Sequence, residues 1–330
     1  MNELIKQPGR RSISIPAKTF LVGEYLALSG GPSIVVTTAP AFKFSWLYED
    51  SRSPELNHPF HPESPAGRFL AEMDLKSGRI SIEFNDPYRG SGGFGGSTAE
   101  FLGAWMLSRW LGDDAVASSA AEWCVEVRDY RDQVCPVWTS ERLGGGRFMD
   151  VLDAYAVFEP RASGADLVAQ VTGGVAIWDR NKQVMRKQVW PFDGLELSLL
   201  RTGRKMKTHE HLKTVRPLTV ETQQELELWV QDAVQAFAFA DADRLIAAVR
   251  GVGKTLEAQG LVAEHTLQAL RDLADVTGVR AAKGCGAMGA DVVAVLHDPS
   301  ALPALVELCR EHGFSRDETK YWPSAVRIES

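Results

Sequence analysis

Between Ser12 and Pro16 apolar and polar residues alternate, the two-residue period of a strand with one buried face. Lys18 to Tyr25 continues as strand, Ser29-Gly30-Gly31-Pro32 predicts a tight turn, and Ser33 to Thr38 predicts a second strand. Residues 50–66 are rich in Pro, His, Ser and Glu without periodicity and read as an exposed loop. Ser81 to Phe84 is a short strand that feeds the run Tyr88-Arg-Gly-Ser-Gly-Gly-Phe-Gly-Gly-Ser97. From Thr98 to Leu111 the residues Phe101, Leu102, Trp105, Met106 and Trp110 recur at helical spacing, and residues 148–158 predict a second helix ending before Pro160. Gly173 to Trp178 and Val189 to Leu200 read as strands. Helices follow over Val220 to Phe237, over Asp241 to Val249 and before Gly278. Val279 to Ala282 and Asp291 to Val295 predict strands flanking a second glycine-rich run, Leu302 to Glu311 a helix, and Ala325 to Ile328 a closing strand. A strand-rich first half followed by alternating helices and strands predicts an α+β protein of two lobes, divided into residues 1–190 and 191–330, without internal repeats.

Composition narrows the partners. The 330 residues carry 36 basic and 43 acidic side chains, a formal net charge of -7. A mildly acidic surface argues against nucleic acid and anionic membranes as partners, but not against an anionic metabolite held by a few local cations. Cys124, Cys135, Cys285 and Cys309 are scattered without a CxxC pair, the usage of reduced structural thiols. The segment MNELIKQPGRRS lacks the apolar core of a signal peptide, and no stretch approaches the roughly 18 apolar residues of a membrane span. A cytoplasmic protein is expected.

Two segments invite a nucleotide. Gly92-Gly-Phe-Gly-Gly-Ser-Thr98 is a glycine loop opening onto a helix, where backbone N–H groups and the helix dipole favour phosphate. A hydroxyl at its end, Ser97 or Thr98, suits the Mg²⁺ that accompanies ATP. The same residues equally describe a helix N-terminus preceded by flexible glycines. Gly90-x-Gly92-x-x-Gly95 and Gly284-x-Gly286-x-x-Gly289 fit the dinucleotide fingerprint, but neither opens a clean βαβ unit, which argues against a Rossmann oxidoreductase. Gly251-Val-Gly-Lys-Thr255 imitates the end of a phosphate-binding P-loop, yet Ala248 stands where that motif needs glycine. It follows a helix, so a helix C-cap and a new turn are expected there.

Four segments in order resemble the GHMP kinase superfamily, most closely its phosphomevalonate kinases. Ile15-Pro-Ala-Lys-Thr-Phe-Leu-Val-Gly-Glu-Tyr25 is similar to P-G-K-x-x-x-x-G-E-[HY], and Gly93-Phe-Gly-Gly-Ser-Thr-Ala99 to G-L-G-S-S-A-A. Ser163-Gly-Ala-Asp-Leu-Val-Ala169, followed by Gly173-Gly174, resembles the S-G-x-D stretch, and Lys283-Gly-Cys-Gly-Ala-Met-Gly-Ala-Asp291 resembles K-x-S-G-A-G-G-G-D. The resemblance implies an N-terminal lobe like the second domain of ribosomal protein S5, a ferredoxin-like C-terminal lobe, and a site between them. Gly-Glu-Tyr25 and Asp291 lean towards phosphomevalonate kinase over mevalonate kinase.

The resemblance further implies a division of labour. Asp166 is the candidate base, with Lys18 beside it to ease deprotonation of the acceptor hydroxyl and offset phosphate charge. Gly93, Phe94, Gly95, Gly96, Ser97 and Thr98 would cradle ATP, with Ser97 as the Mg²⁺ ligand. Lys18, Glu24, Tyr25, Gly286 and Ala287 would meet the substrate. Arg204, Lys205, Lys207 and Thr208, in the most basic stretch of the chain, either hold a substrate phosphate or form a solvated basic turn. His209 and His211 lack a third metal ligand. The sequence departs from the family pattern at Gly96, Thr98, Met288 and Ala290; the last two replace glycines and narrow the backbone's approach to phosphate. Phosphomevalonate is the expected substrate; mevalonate, another hydroxylated metabolite, or a non-catalytic sensor role remain open, as does a homodimer.

Overall fold

A computed structural model describes residues 8–111, 147–159, 162–203, 218–289, 292–316 and 321–329. The chain is α+β and is built on two sheets. The larger takes β1 (Gly9–Val22), β2 (Pro32–Glu49), β3 (Glu55–Asn57), β4 (Arg79–Asn85), β5 (Val175–Asp179), β6 (Val184–Gln188) and β11 (Arg327–Glu329) in the order β11-β1-β2-β4-β3. The second half of β2 pairs β4, while its first half pairs β5, which pairs β6. The smaller sheet has the order β10-β7-β9-β8, from β7 (Glu196–Arg201), β8 (Val279–Cys285), β9 (Val292–His297) and β10 (Ser315–Arg316).

Alternation in the strands decides which helices each face receives. On β2, Val35, Phe42, Phe44, Trp46 and Tyr48 pack with α2 (Pro65–Ala71), α3 (Gly96–Leu111), α4 (Arg147–Phe158) and α5 (Ala165–Thr172). Ile34 and Val36 face the other way, onto α6 (Val220–Phe239) and α7 (Ala242–Ala258). On β9, Leu296 joins that second core, whereas Val293 and Val295 pack beneath α8 (Glu264–Ala274) and α9 (Leu302–His312). Helices α6 and α7 therefore fill the space between the two sheets.

Several expected boundaries move, each for a local reason. The first strand stops at Val22, because Gly23 turns left-handed and Glu24–Leu28 forms the short helix α1, so Tyr25 is helical. Residues 50–66 hold β3 and the start of α2, whose Ser64 hydroxyl accepts from Gly67 N–H at 3.1 Å ahead of Pro65. Val189 to Leu200 is no single strand. Pro191 interrupts the donors and Gly194 turns left-handed, with Trp190 Nε1 donating to the Leu195 carbonyl at 2.9 Å. Helix α7 does not cap near Val249 but runs through the P-loop mimic to Ala258.

That continuation has a steric reason. Gly251 faces α6, where a Cβ would lie 2.3 Å from the Trp229 indole, while a Cβ on Gly253 would stay 3.6 Å from its neighbours. Gly251→Ala is expected to lower the unfolding free energy by about 1–3 kcal/mol through overpacking. Gly253→Ala is expected to raise it by up to about 1 kcal/mol through helix propensity. Urea denaturation of the two variants checks both; equal behaviour would contradict the packing argument.

Candidate active site

The site starts with an exception in β1. Pro16 has no N–H to give the ladder, and the register with β2 shifts between Ile15 and Ala17. Immediately after this bulge the Lys18 side chain enters the interior, 6% exposed, and its Nζ lies 2.8 Å from Asp166 Oδ1. A buried ammonium needs an anion. Asp166 provides it from the first turn of α5, where a carboxylate also suits the helix dipole. With 29% of its side chain exposed, Asp166 retains access to solvent.

The glycine loop lies against this pair. Lys18 N–H donates to the Phe94 carbonyl at 3.0 Å, and Gln170 Nε2, one turn along α5, donates to the carbonyls of Pro16 at 3.1 Å and Gly95 at 3.0 Å. Gly95 has φ +84, and a Cβ there would sit 2.9 Å from Lys18 Cε and 3.0 Å from Gln170 Nε2. Only a residue without a side chain lets loop and lysine approach so closely. Phe94 is fully buried, stacked on Tyr88 with centroids 4.0 Å apart, so it anchors the loop and offers a ligand nothing but backbone. Thr98 is buried and donates its hydroxyl to the Gly95 carbonyl at 2.9 Å. Ser97, by contrast, is exposed at the head of α3. The loop thus presents backbone N–H groups and an exposed serine, a donor set suited to phosphate and its cation.

Glu24 and Tyr25 engage the second glycine-rich run, which begins at Lys283. Lys283, 1% exposed on β8, places Nζ 2.7 Å from Glu24 Oε1 and 3.6 Å from Cys285 Sγ. The Cys285 thiol reaches the Phe20 carbonyl at 3.2 Å, and Phe20 lies under the Lys18 ammonium, 5.1 Å from its ring centroid. Tyr25 accepts from Met288 N–H at 3.3 Å, and burial, reinforced by the Glu24 charge, pushes its phenol up to about 12. Gly286 opens the 3₁₀ turn Ala287–Gly289, in which Met288 adopts φ 55 and ψ 20. A non-glycine residue there costs about 1–2 kcal/mol. Gly284 and Gly289 touch so closely that a Cβ on Gly284 would lie 2.5 Å from the Gly289 carbonyl oxygen.

Lys18, Asp166, Gly95 and Ser97 are therefore drawn to one place, with Glu24, Tyr25 and Gly286 adjoining through β1 and α1. Arg204, Lys205, Lys207, Thr208, His209, His211, Ala290 and Asp291 lie outside the described residues, as do Cys124 and Cys135. Sequence reasoning missed Gln170 and Arg201. Arg201 Nη1 donates to Ser91 Oγ at 3.2 Å and so holds the glycine run from β7. A lone glutamine or arginine carries no pattern that could have singled it out. Among the described residues no cluster of three or more His, Cys, Asp or Glu is arranged to hold a metal, and no helix is long and apolar enough to cross a membrane.

No protein-family model matches the chain, and no curated protein matches it in sequence. Solved structures do match, and the fold they share with it is that of the GHMP kinases. A protein from Listeria innocua has TM-score 0.72 at 14% identity, over 97% of this chain and 99% of its own. Streptococcus pneumoniae phosphomevalonate kinase, in complex with phosphomevalonate and AMPPNP, has TM-score 0.69 at 13% identity, over 94% of this chain and 99% of its own. L. major mevalonate kinase, in complex with R-mevalonate, has TM-score 0.67 at 16% identity, over 98% of this chain and 100% of its own.

The buried Lys283–Glu24 pair makes a quantitative prediction. Burial opposes the Lys283 charge, but Cys285 and Glu24 outweigh it and hold the ammonium pKa above its ordinary value. The raised folded pKa means that the contribution is complete at neutral pH and fades only as pH rises past the ordinary lysine range. Lys283→Met is expected to cost about 3–5 kcal/mol at neutral pH, because Glu24 is left charged and unpaired. Lys283→Met combined with Glu24→Met is expected to regain most of that loss. Denaturant midpoints of the single and double variants decide it.

Proposed function

We propose that this chain is an ATP-dependent kinase for a small hydroxylated metabolite, with phosphomevalonate as the favoured acceptor. The observation that carries the reading is the Lys18–Asp166 pair at 2.8 Å, packed against a glycine loop that ends in an exposed serine. The likeness in fold to kinases of mevalonate, phosphomevalonate and homoserine supports the class of reaction. The sequence Gly23-Glu24-Tyr25 favours phosphomevalonate among them, which would put the chain in isoprenoid precursor synthesis in the cytoplasm. Two lobes divided near residue 190 belong to the same proposal, with the ATP-binding residues on the first.

Mg-ATP supplies the phosphoryl group and the cation that neutralises its charge. The residues that fit it are the backbone of Gly93–Thr98 and the Ser97 hydroxyl. Asp166 accepts the proton of the acceptor hydroxyl. Lys18 keeps that carboxylate in place and stabilises the oxygen as its negative charge develops. Glu24, Tyr25, Gly286 and Ala287 form the acceptor's side of the site, and Arg204, Lys205, Lys207 and Thr208 are the candidates for its phosphate.

Coupled ADP release with Mg-ATP and phosphomevalonate, mevalonate, homoserine or galactose tests the reading. Turnover is expected on phosphomevalonate, with kcat reduced about 10²–10⁴-fold by Asp166→Asn and by a comparable factor by Lys18→Met. Turnover on another acceptor would keep the kinase and change its substrate. Silence across the panel with ATP still bound would favour a sensor.

A further inference from the structure

Gln170 is fully buried on α5, among the buried apolar side chains of Leu167, Val168, Ala169 and Val171. A carboxamide is an unusual choice for such a position. The orientation of the amide follows from what it faces. Its two contacts, the Pro16 carbonyl at 3.1 Å and the Gly95 carbonyl at 3.0 Å, are both acceptors, so the atom between them is the nitrogen. Its oxygen Oε1 is left buried, without a hydrogen-bond partner among the described residues. A buried carbonyl that no donor reaches costs stability, and packing gives no reason to keep it. What the position retains is the pair of donors on the nitrogen.

Those donors reach two backbone segments that a phosphoryl transfer would have to hold together. Pro16 lies in the β1 bulge two residues before Lys18, and Gly95 lies in the glycine loop two residues before Ser97. The Gly95 carbonyl already accepts from Ala99 N–H at 2.9 Å and from the Thr98 hydroxyl at 2.9 Å, so the loop does not need Gln170 to satisfy its backbone. The additional bond fixes a distance. Gln170 and Asp166 are four residues apart on α5, so the carboxylate and the amide project from the same side of one helix. The junction resists movement both ways: a Cβ on Gly95 would lie 3.0 Å from Gln170 Nε2, which leaves no room to close, and the two hydrogen bonds oppose opening. We propose that Gln170 is a positioning residue that sets the spacing between the base Asp166 and phosphates bound on the glycine loop. The proposal rests on the kinase reading above and adds to it a residue that no motif singles out. Gln170 touches neither reactant. It acts through the loop and the lysine strand, where a misplacement of about 1 Å can cost about 10²-fold in rate.

Two variants test this in the full chain. Gln170→Met keeps a side chain of similar length, gives up both donors and removes the unpartnered oxygen. Gln170→Glu keeps the shape and at neutral pH offers neither carbonyl a donor. Three quantities are compared with the wild type: the urea midpoint, the Mg-ATP affinity by calorimetry, and the single-turnover rate of phosphoryl transfer per molecule of bound ATP. The acceptor is whichever of phosphomevalonate, mevalonate, homoserine and galactose the wild type turns over fastest. The transfer rate is expected to fall about 10–100-fold in both variants, while Mg-ATP affinity changes little, because the loop keeps its own backbone bonds. An amide with only a structural role would lower the urea midpoint and leave the rate per bound ATP unchanged. That result, or a loss confined to ATP affinity, would overturn the proposal and leave the kinase reading intact. If one variant does not fold, the other decides; failure of both to fold would assign the amide to stability and overturn the proposal as well. A wild type that transfers no phosphoryl group to any of the four acceptors would overturn both.

Discussion

An ammonium group withdrawn from water must be matched by an anion, and here that requirement organises the larger sheet and the helices packed on it. Lys18 is carried inwards by a strand whose ladder has been broken by a proline two residues earlier. Its partner Asp166 begins a helix 148 positions later in the chain, and the two meet at 2.8 Å. Gln170 on the same helix ties the proline carbonyl and the glycine loop together. If the pair were displaced, the loop, the strand bulge and the helix terminus would each lose a partner. The pair is more than a source of stability, because it leaves a carboxylate oriented and partly accessible beside a glycine-rich loop.

The second constraint joins the two sheets. Glu24 on α1 and Lys283 on β8 form a buried pair, Cys285 reaches back to Phe20, and Tyr25 receives the Met288 amide. These contacts link the segment that follows Lys18 to the second glycine-rich run. They also give a physical account of that run's unusual residues. Cys285 stands where a serine is usual, and its weak donor still finds a carbonyl. Met288 takes a left-handed conformation in place of a glycine, held by hydrogen bonds through both its N–H and its carbonyl, the latter accepting from Ala263 at 2.8 Å. The strain is local, and the turn is preserved.

Much of this was legible in the chain. Strand alternation over Ser12–Pro16 and the helical spacing of Phe101, Leu102, Trp105 and Met106 correspond to buried faces. The ordered segments around Lys18, Ser97, Asp166 and Lys283 led to one neighbourhood. Where the reading failed, the cause was a short-range signal outweighed by a contact elsewhere. Gly251 looked like a helix end and is instead a notch for Trp229. Lys18 to Tyr25 looked continuous, but Gly23 ends the strand before Glu24 turns towards Lys283.

The sequence by itself determined the α+β class and the order of the glycine segments, because those depend on residue type, period and spacing; the pairing of Lys18 with Asp166 was implied only by the family resemblance those segments carry. Tertiary structure alone decided which hydroxyl of the loop is accessible. Ser97 and Thr98 are neighbours with the same chemistry, yet one is turned inwards to the Gly95 carbonyl and the other faces out. It also decided that Gln170 spans two carbonyls and that Arg201 reaches Ser91. None of these follows from pattern, since each depends on where a side chain from a distant element meets a backbone that has already been placed by packing.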